Sequence, residues 1–183
     1  MASTTSKIVT YEEWLRMPES EGKEEVVDGE IIKMPPAKWN HSLIIHQLQM
    51  MLVRQLDPDQ VIVMTTIFGL VIREEPLTCR EPDLAIFIRK NVIEQDGYIH
   101  SAPELVVEVL SPTNTRKDML RKTEDYASIG VPELWILSPE GRTFEVLQLQ
   151  DGKLRRTQLL ADGQIRPLRF PETVVDVASV WPD

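Results

Sequence analysis

The chain has 183 residues, 42% of them hydrophobic and 27% charged, with a formal net charge of −9. This length suits one compact domain, and the composition is that of an ordinary globular protein with a core. The acidic total argues against a protein that coats nucleic acid non-specifically, because such binding needs basic side chains that neutralise phosphates. No apolar run is long enough to span a membrane, and the N-terminus lacks an apolar signal segment. Cys79 is the only cysteine, so no intrachain disulfide can form, and we expect a cytoplasmic protein.

The N-terminal part predicts a tail, a helix and a hairpin. Residues 1–9 are expected to be a loose tail, and residues 10–183 a single domain. Thr10 can cap a short helix that stops at Pro18. Asp28-Gly29, between two short β-prone runs, predicts an N-terminal β-hairpin.

The middle of the chain predicts a long helix followed by strands. Apolar residues recur at helical spacing from about Asn40 to Leu56, and Pro58 closes the segment. The runs VIVMTTIFGLVI and EPDLAIFI are rich in strand-forming residues. NVIEQDGYIHSAP is expected to be a loop or a broken helix.

The C-terminal half predicts a strand–helix–strand unit from Leu105 to Leu137, followed by a hairpin at Asp151-Gly152. The connecting helix is expected over residues 115–129, capped by Thr113 or Asn114 and ended by Gly130. The element order predicts an α/β fold with a central mixed sheet flanked by helices.

Glu108 and Asp83 are the first candidates for chemistry. Glu108 interrupts the aliphatic run LVVEVL, and Asp83 opens the run LAIF. A solvent-facing Glu on a half-exposed strand and an Asp in a turn are the ordinary explanations of each residue alone. If the two strands are neighbours, however, the carboxylates meet and repel each other unless a cation or a proton relieves them. Mg²⁺ suits such a pair of oxygen ligands.

Lys122 is the third candidate. On a helical wheel it falls among Met119, Leu120, Thr123 and Tyr126, on the apolar face, whereas Asp125 falls on the polar face. A lysine on an apolar face either snorkels to solvent or meets an anion, and the carboxylate pair is one such anion. Asp118, four residues earlier, is another partner that a helix allows.

The remaining ionisable residues give weaker signals. Glu25 stands at the start of the predicted hairpin, where an exposed glutamate is the usual explanation. His41 lies near the start of the long helix. The spacing of the histidines and the single cysteine give no zinc pattern, and no glycine-rich phosphate-binding motif is present.

Several of these strings together resemble a known family. EEVVDGEI, then His41, EPDLAIF and PELVVEVLSPTNTRKDMLRKTEDYASIGVPELWIL are similar to the Uma family of restriction endonucleases, in the PD-(D/E)XK nuclease superfamily. The resemblance covers roughly residues 10 to 180 and is strongest between Pro103 and Leu137.

The resemblance implies a restriction-endonuclease-like core and a DNA-cleaving site that uses Mg²⁺, or Mn²⁺ in its place. Asp83 and Glu108 match the two acids, and Leu110 stands where the superfamily usually has its lysine, so Lys122 takes that role from the following helix. The backbone carbonyl of Val109 joins the two acids as a metal ligand, and Glu25 matches the family's early glutamate. His41 and Asp118 are accessory candidates, and the family is compatible with a homodimer.

Two alternatives to a DNA-cleaving enzyme stay open. The acidic charge and the displaced lysine favour a nuclease-fold protein that binds nucleic acid or a protein partner without cutting, whereas the three retained residues favour cleavage. A phosphoesterase acting on small molecules is the other alternative. Arg116, Lys117 and Arg121 form a candidate nucleic-acid-binding strip, although a solvated helix face explains them as well.

Overall fold

The computed structural model describes residues 8–18, 22–65, 68–112 and 115–182. Residues 1–7 of the predicted tail lie outside these ranges, whereas the Val9 amide already donates to the Gly29 carbonyl oxygen at 2.9 Å. The chain divides into two compact units. The first unit is Met1–Pro36, Ile67–Glu81 and Ile93–Ser101, and the second is Ala37–Thr66, Pro82–Val92 and Ala102–Asp183. The single domain expected over residues 10–183 stays a prediction.

The described residues form a mixed α/β fold with few helices among many strands. Within the described residues the elements are, in chain order, α1 (Tyr11–Leu15), β1 (Glu24–Val27), β2 (Glu30–Lys33), α2 (Trp39–Val53), β3 (Val61–Met64), β4 (Leu70–Glu74), β5 (Leu77–Arg80), β6 (Leu84–Ile88), β7 (Glu94–Gln95), β8 (Tyr98–Ile99), β9 (Leu105–Val109), α3 (Arg116–Ser128), β10 (Glu133–Ser138), β11 (Thr143–Gln150), β12 (Lys153–Leu160), β13 (Gln164–Ile165) and β14 (Val175–Asp176). Among the helices of these residues, none combines the length and the apolar character that crossing a membrane requires.

The first unit is a sheet in the order β2-β1-β5-β4-β8-β7, against which α1 packs. Thr10 and Glu13 form a reciprocal capping box that starts α1, as the sequence predicts. The hairpin at Asp28-Gly29 is also confirmed, and both residues have positive φ, the geometry for which this dipeptide is selected.

Residues 91–103 differ from the sequence-based expectation. They contain the two short strands β7 and β8, joined by Asp96-Gly97 with φ of 53° and 86°. The expected loop or broken helix is therefore wrong. The same Asp-Gly signal that predicts the other hairpins is present here, although Glu94-Gln95 before it have little β propensity and each strand has only two residues.

The second unit contains a mixed sheet in the order β12-β11-β10-β9-β6-β3. β9 and β10 are parallel and joined through α3, and the other pairs are antiparallel. This confirms the predicted strand–helix–strand unit and the mixed central sheet. One face of this sheet packs with α2, whose inward side chains recur at helical spacing as Ile44, Leu48 and Leu52.

The other side chains of β9 point away from α2. Val107 and Val109 belong to the core cluster that includes α2, so strand alternation directs Glu108 to the opposite face. The residues of β9 are nevertheless buried throughout. At Glu108 this second face is covered by α3, whose Lys122 and Tyr126 contact the carboxylate.

The start of α3 and the orientation of two of its residues correct the prediction. The N-cap is Thr115, which forms a capping box with Asp118. The predicted cap residues, Thr113 and Asn114, lie outside the described residues. Leu120 is exposed and Asp125 is buried, the reverse of their assignment on the wheel. The helix therefore buries a more polar face than hydrophobic patterning alone selects.

Glu133, at the first position of β10, is a buried carboxylate on the same sheet. It accepts hydrogen bonds from the Trp135 indole, the Gln148 amide and the backbone amide of Leu168. Burial raises the pKa of Glu133, although these hydrogen bonds oppose the rise. The side chain thus joins β10, β11 and the segment after β12.

The raised pKa predicts a pH-dependent stability. Because the folded state favours the protonated form of Glu133, this residue's contribution falls as the pH rises from the ordinary glutamate pKa through the raised one. Glu133→Gln removes the titration. The difference in free energy of unfolding between wild type and Glu133→Gln, measured by urea denaturation, should favour wild type most at acidic pH and shrink towards neutral pH. A difference independent of pH would contradict this account.

Candidate functional site

Glu108 is the centre of the candidate site. Its side chain is only 4% exposed, in the middle of the sheet of the second unit. The ordinary explanation of a solvent-facing glutamate is therefore wrong for this residue. Burial of a carboxylate is costly unless charged or polar partners compensate it.

Lys122 is a direct partner of that carboxylate. Its Nζ lies 3.0 Å from Oε1 and 2.9 Å from Oε2 of Glu108, and the side chain is 3% exposed. Of the two explanations that the wheel left open, the structure therefore shows an anion partner and excludes snorkelling. Leu110, at the superfamily's usual lysine position, follows β9 and donates its amide to Leu137. The amine thus reaches the strand from the next helix.

Tyr126 is a second partner from α3, and sequence analysis did not select it as a site residue. Its phenol hydroxyl donates to Glu108 Oε1 at 2.5 Å, and its ring is fully buried. Tyr126 lies four residues after Lys122, so both side chains emerge from one face on successive turns. That spacing, together with an apolar face already containing a lysine, was the available signal.

Asp83 precedes β6, the strand next to β9. Antiparallel pairing joins Leu84 with Val107, and continuing this register by one residue sets Asp83 across from Glu108. The carboxylate accepts a hydrogen bond from the Val109 amide at 2.8 Å. The expected neighbourhood of the two acids thus follows from strand pairing.

His41, from the first turn of α2, is close to Asp83. Its Nε2 lies 3.2 Å from Asp83 Oδ2, with the imidazole 15% exposed. Its Nδ1 is buried and has no hydrogen-bond partner among the described residues. The structure thus pairs His41 with Asp83 and Lys122 with Glu108, and Asp83 contacts the strand of Glu108 through the Val109 amide.

The donor set of this site fits Mg²⁺. Asp83 and Glu108 supply hard carboxylate oxygens, the ligands that Mg²⁺ takes together with water and phosphate. No group of three His, Cys, Asp or Glu side chains within the described ranges is arranged to hold a metal ion. The Lys122 ammonium provides the positive charge beside Glu108. The predicted metal-ligand role of the Val109 carbonyl stays a prediction.

Glu25 belongs to the first unit. The expectation that it is an exposed glutamate is wrong. It is 2% exposed, and Oε2 accepts a hydrogen bond from Arg80 Nη1 at 2.7 Å. The Glu81 amide donates to Oε1. Burial raises the pKa of Glu81 itself to about 7, against the lowering effects of Lys23 and of the Glu24 amide. The catalytic role of Glu25 stays a prediction.

The predicted nucleic-acid strip lies at the start of α3. Arg116 and Lys117 are exposed, and Arg121 is partly buried. Asp118, the other accessory candidate, accepts hydrogen bonds from the backbone amide and hydroxyl of Thr115. A capping role accounts for its presence, whereas the strip's role in binding stays a prediction.

The buried ion pair predicts a strong energetic coupling. Glu108→Gln leaves the Lys122 ammonium buried without the Glu108 charge, which should lower the free energy of unfolding by about 3–5 kcal/mol. Lys122→Met should also destabilise, and the double variant should lose less than the sum. Urea denaturation of the four proteins measures the coupling, with the exposed Glu124→Gln on the same helix as a near-neutral control. Additive losses would contradict the coupling.

Comparisons with known proteins agree with this architecture. A crystal structure of a "putative nuclease belonging to DUF820" from Anabaena variabilis superposes with a TM-score of 0.77 at 20% identity, covering 94% of this chain and 97% of the other. At that identity the match shows a shared fold. No curated protein is significantly similar in sequence. The family model of Uma2, described as "Putative restriction endonuclease", matches residues 11–178. The chain therefore belongs to the Uma2 family.

Proposed function

We propose that this protein is a Mg²⁺-dependent endonuclease that hydrolyses DNA phosphodiester bonds, with Asp83, Glu108 and Lys122 at its centre. The observation that carries the proposal is the buried Lys122 ammonium on Glu108, with Asp83 hydrogen-bonded to the next residue of the same strand. Membership of a family described as restriction endonucleases supports DNA as the substrate.

Asp83, Glu108 and the backbone carbonyl of Val109 would hold the metal ion. Mg²⁺ is the expected ion, and Mn²⁺ would substitute because it accepts the same oxygen ligands. When bound, the ion supplies positive charge to the phosphate and lowers the pKa of water.

Lys122 would give the site its mobile charge. Its ammonium can leave one Glu108 oxygen, orient the attacking water and offset the charge that develops on the phosphate. That water would attack phosphorus in line with the leaving oxygen. The ammonium would stabilise the transition state more than the ground state because the phosphate charge is redistributed as the bond breaks.

The accessory residues would act through these three. His41 Nε2 is placed to hold Asp83 Oδ2, which restrains the acid's orientation. Asp118 would act indirectly by fixing the start of the helix that presents Lys122. The catalytic role that the family pattern assigns to Glu25 stays a prediction. The homodimer stays a prediction.

A binding protein without nuclease activity is the second candidate. It is favoured by one observation: Lys122 contacts both Glu108 oxygens, so the acid has a counter-charge without a metal ion. In that case Asp83, Glu108 and Lys122 would stabilise the fold, and nucleic acid or a protein partner would bind elsewhere.

Plasmid cleavage distinguishes the two candidates. Wild type should nick or linearise supercoiled plasmid in Mg²⁺ or Mn²⁺ and should be inactive in EDTA. Glu108→Gln and Lys122→Met should each reduce the rate by about 10²-fold or more, because the first removes a charged metal ligand and the second removes the positive charge that offsets the phosphate. Gel quantification of supercoiled, nicked and linear DNA over time measures this.

Matched controls are Glu124→Gln and Lys153→Met, which change the same residue types at exposed positions. Both should cleave like wild type. Equal activity in wild type and in both site variants would reject this site. No cleavage by wild type with either ion would favour the binding protein.

The basic strip on α3 predicts a salt-dependent affinity for DNA. Replacing Arg116, Lys117 and Arg121 by alanine should weaken binding uniformly across sequences. Each lost phosphate contact should reduce the slope of log K against log salt by about 0.9. Affinity is measured by fluorescence anisotropy at several salt concentrations. All proteins carry Glu108→Gln, and Ca²⁺ replaces Mg²⁺, so that the DNA is bound but not cleaved. The exposed pair Arg54→Ala and Lys90→Ala is the control, and equal slopes in both variants would identify the strip as a solvated face.

A further inference from the structure

Tyr126 carries a buried hydroxyl that has no role in the proposed reaction. It is among the largest fully buried side chains, and its phenol hydroxyl donates to Glu108 Oε1 at 2.5 Å. A tyrosine in an apolar interface needs a partner for that hydroxyl, but a backbone carbonyl would serve stability equally well. The partner here is instead a carboxylate at the centre of the candidate site.

The two α3 donors contact Glu108 unequally. Lys122 Nζ lies within 3.0 Å of both carboxylate oxygens, whereas the Tyr126 hydroxyl contacts Oε1. Oε1 therefore has both donors, and Oε2 has Lys122. Because the terminal torsion of a glutamate is broad, a hydrogen bond to one chosen oxygen fixes which oxygen faces which way.

The rigidity of the two partners also differs. A lysine has a flexible four-carbon stem and a compact charge that can turn from one anion to another. The Tyr126 ring is fully enclosed and has few torsions, so its hydroxyl stays where the packing of α3 places it. When the ammonium moves towards a phosphate, the Tyr126 hydrogen bond to Glu108 Oε1 stays in place.

We infer that Tyr126 is a positioning residue: it holds Glu108 by Oε1 and so presents Oε2 to a divalent cation as Lys122 moves away. This inference rests on the proposed function for the identity of the site. It adds the reason why lysine and tyrosine occupy successive turns of α3. One donor moves with the reaction, and the other keeps the acid in place.

The test is Tyr126→Phe, which removes the hydroxyl and keeps the ring. Titration calorimetry with Mn²⁺ as the probe should show about a tenfold loss of affinity, the size expected for one hydrogen bond to a charged group. The Mn²⁺ concentration that gives half-maximal plasmid cleavage should rise by a similar factor. Tyr11→Phe is the matched control, since it also removes a phenol hydroxyl that contacts His100 and Asp96 in the first unit. Its Mn²⁺ affinity should equal that of wild type.

Thermal denaturation separates positioning from a purely structural role. If Tyr126→Phe lowers the melting temperature but binds Mn²⁺ like wild type, the inference is overturned. If wild type binds Mn²⁺ but does not cut DNA, the nuclease proposal fails, and a weaker affinity in Tyr126→Phe still supports positioning. If wild type binds no Mn²⁺, both are overturned.

Discussion

The second unit depends on the compensation of one buried negative charge. The neighbours of Glu108 in β9 are aliphatic, and all residues of this strand are buried. A carboxylate there would be very costly without Lys122 and Tyr126, and a lysine on the inner face of α3 would be equally costly without Glu108. Each therefore compensates the cost of burying the other: α3 supplies the donors for Glu108, and β9 supplies the anion for Lys122. A change to either charged residue therefore removes the compensation of the other.

The two faces of the mixed sheet differ in chemistry: one belongs to the hydrophobic core, and the other carries Glu108. The face towards α2 is filled by aliphatic and aromatic side chains from β6, β9, β10 and β11. This packing determines the register of β6 against β9, and Asp83, just before β6, accepts a hydrogen bond from the Val109 amide of β9. The opposite face of β9 presents Glu108 to α3. An apolar core on one side thus holds a polar cluster rigidly on the other, which is how preorganised sites are generally built.

Buried carboxylates occur elsewhere in the chain, and their partners differentiate them. Glu133 accepts hydrogen bonds from neutral N–H groups, and burial raises its pKa. Glu25 in the first unit pairs with the Arg80 guanidinium, which cannot lose its proton and tends to hold a fixed geometry. Glu108 instead has a flexible ammonium and a phenol. Of the three, it has the partners best suited to exchanging one cation for another.

The sequence alone determined most of the local elements and singled out Asp83 and Glu108 as candidates. Capping at Thr10, the Asp28-Gly29 turn and the apolar spacing of α2 depend on interactions within a few residues, so their signals are local. The β7–β8 hairpin does not stand out in the sequence because each of its strands has only two residues and β7 is Glu94–Gln95, which has little β propensity. Only the tertiary structure decided that Glu25 is buried, that Asp125 rather than Leu120 faces inward, and that Tyr126 bonds to Glu108. The physical reason is that burial and partner choice depend on which elements pack together. A helical wheel shows which residues of α3 share a face. It does not show that this face packs on Glu108, because that residue belongs to another element, β9.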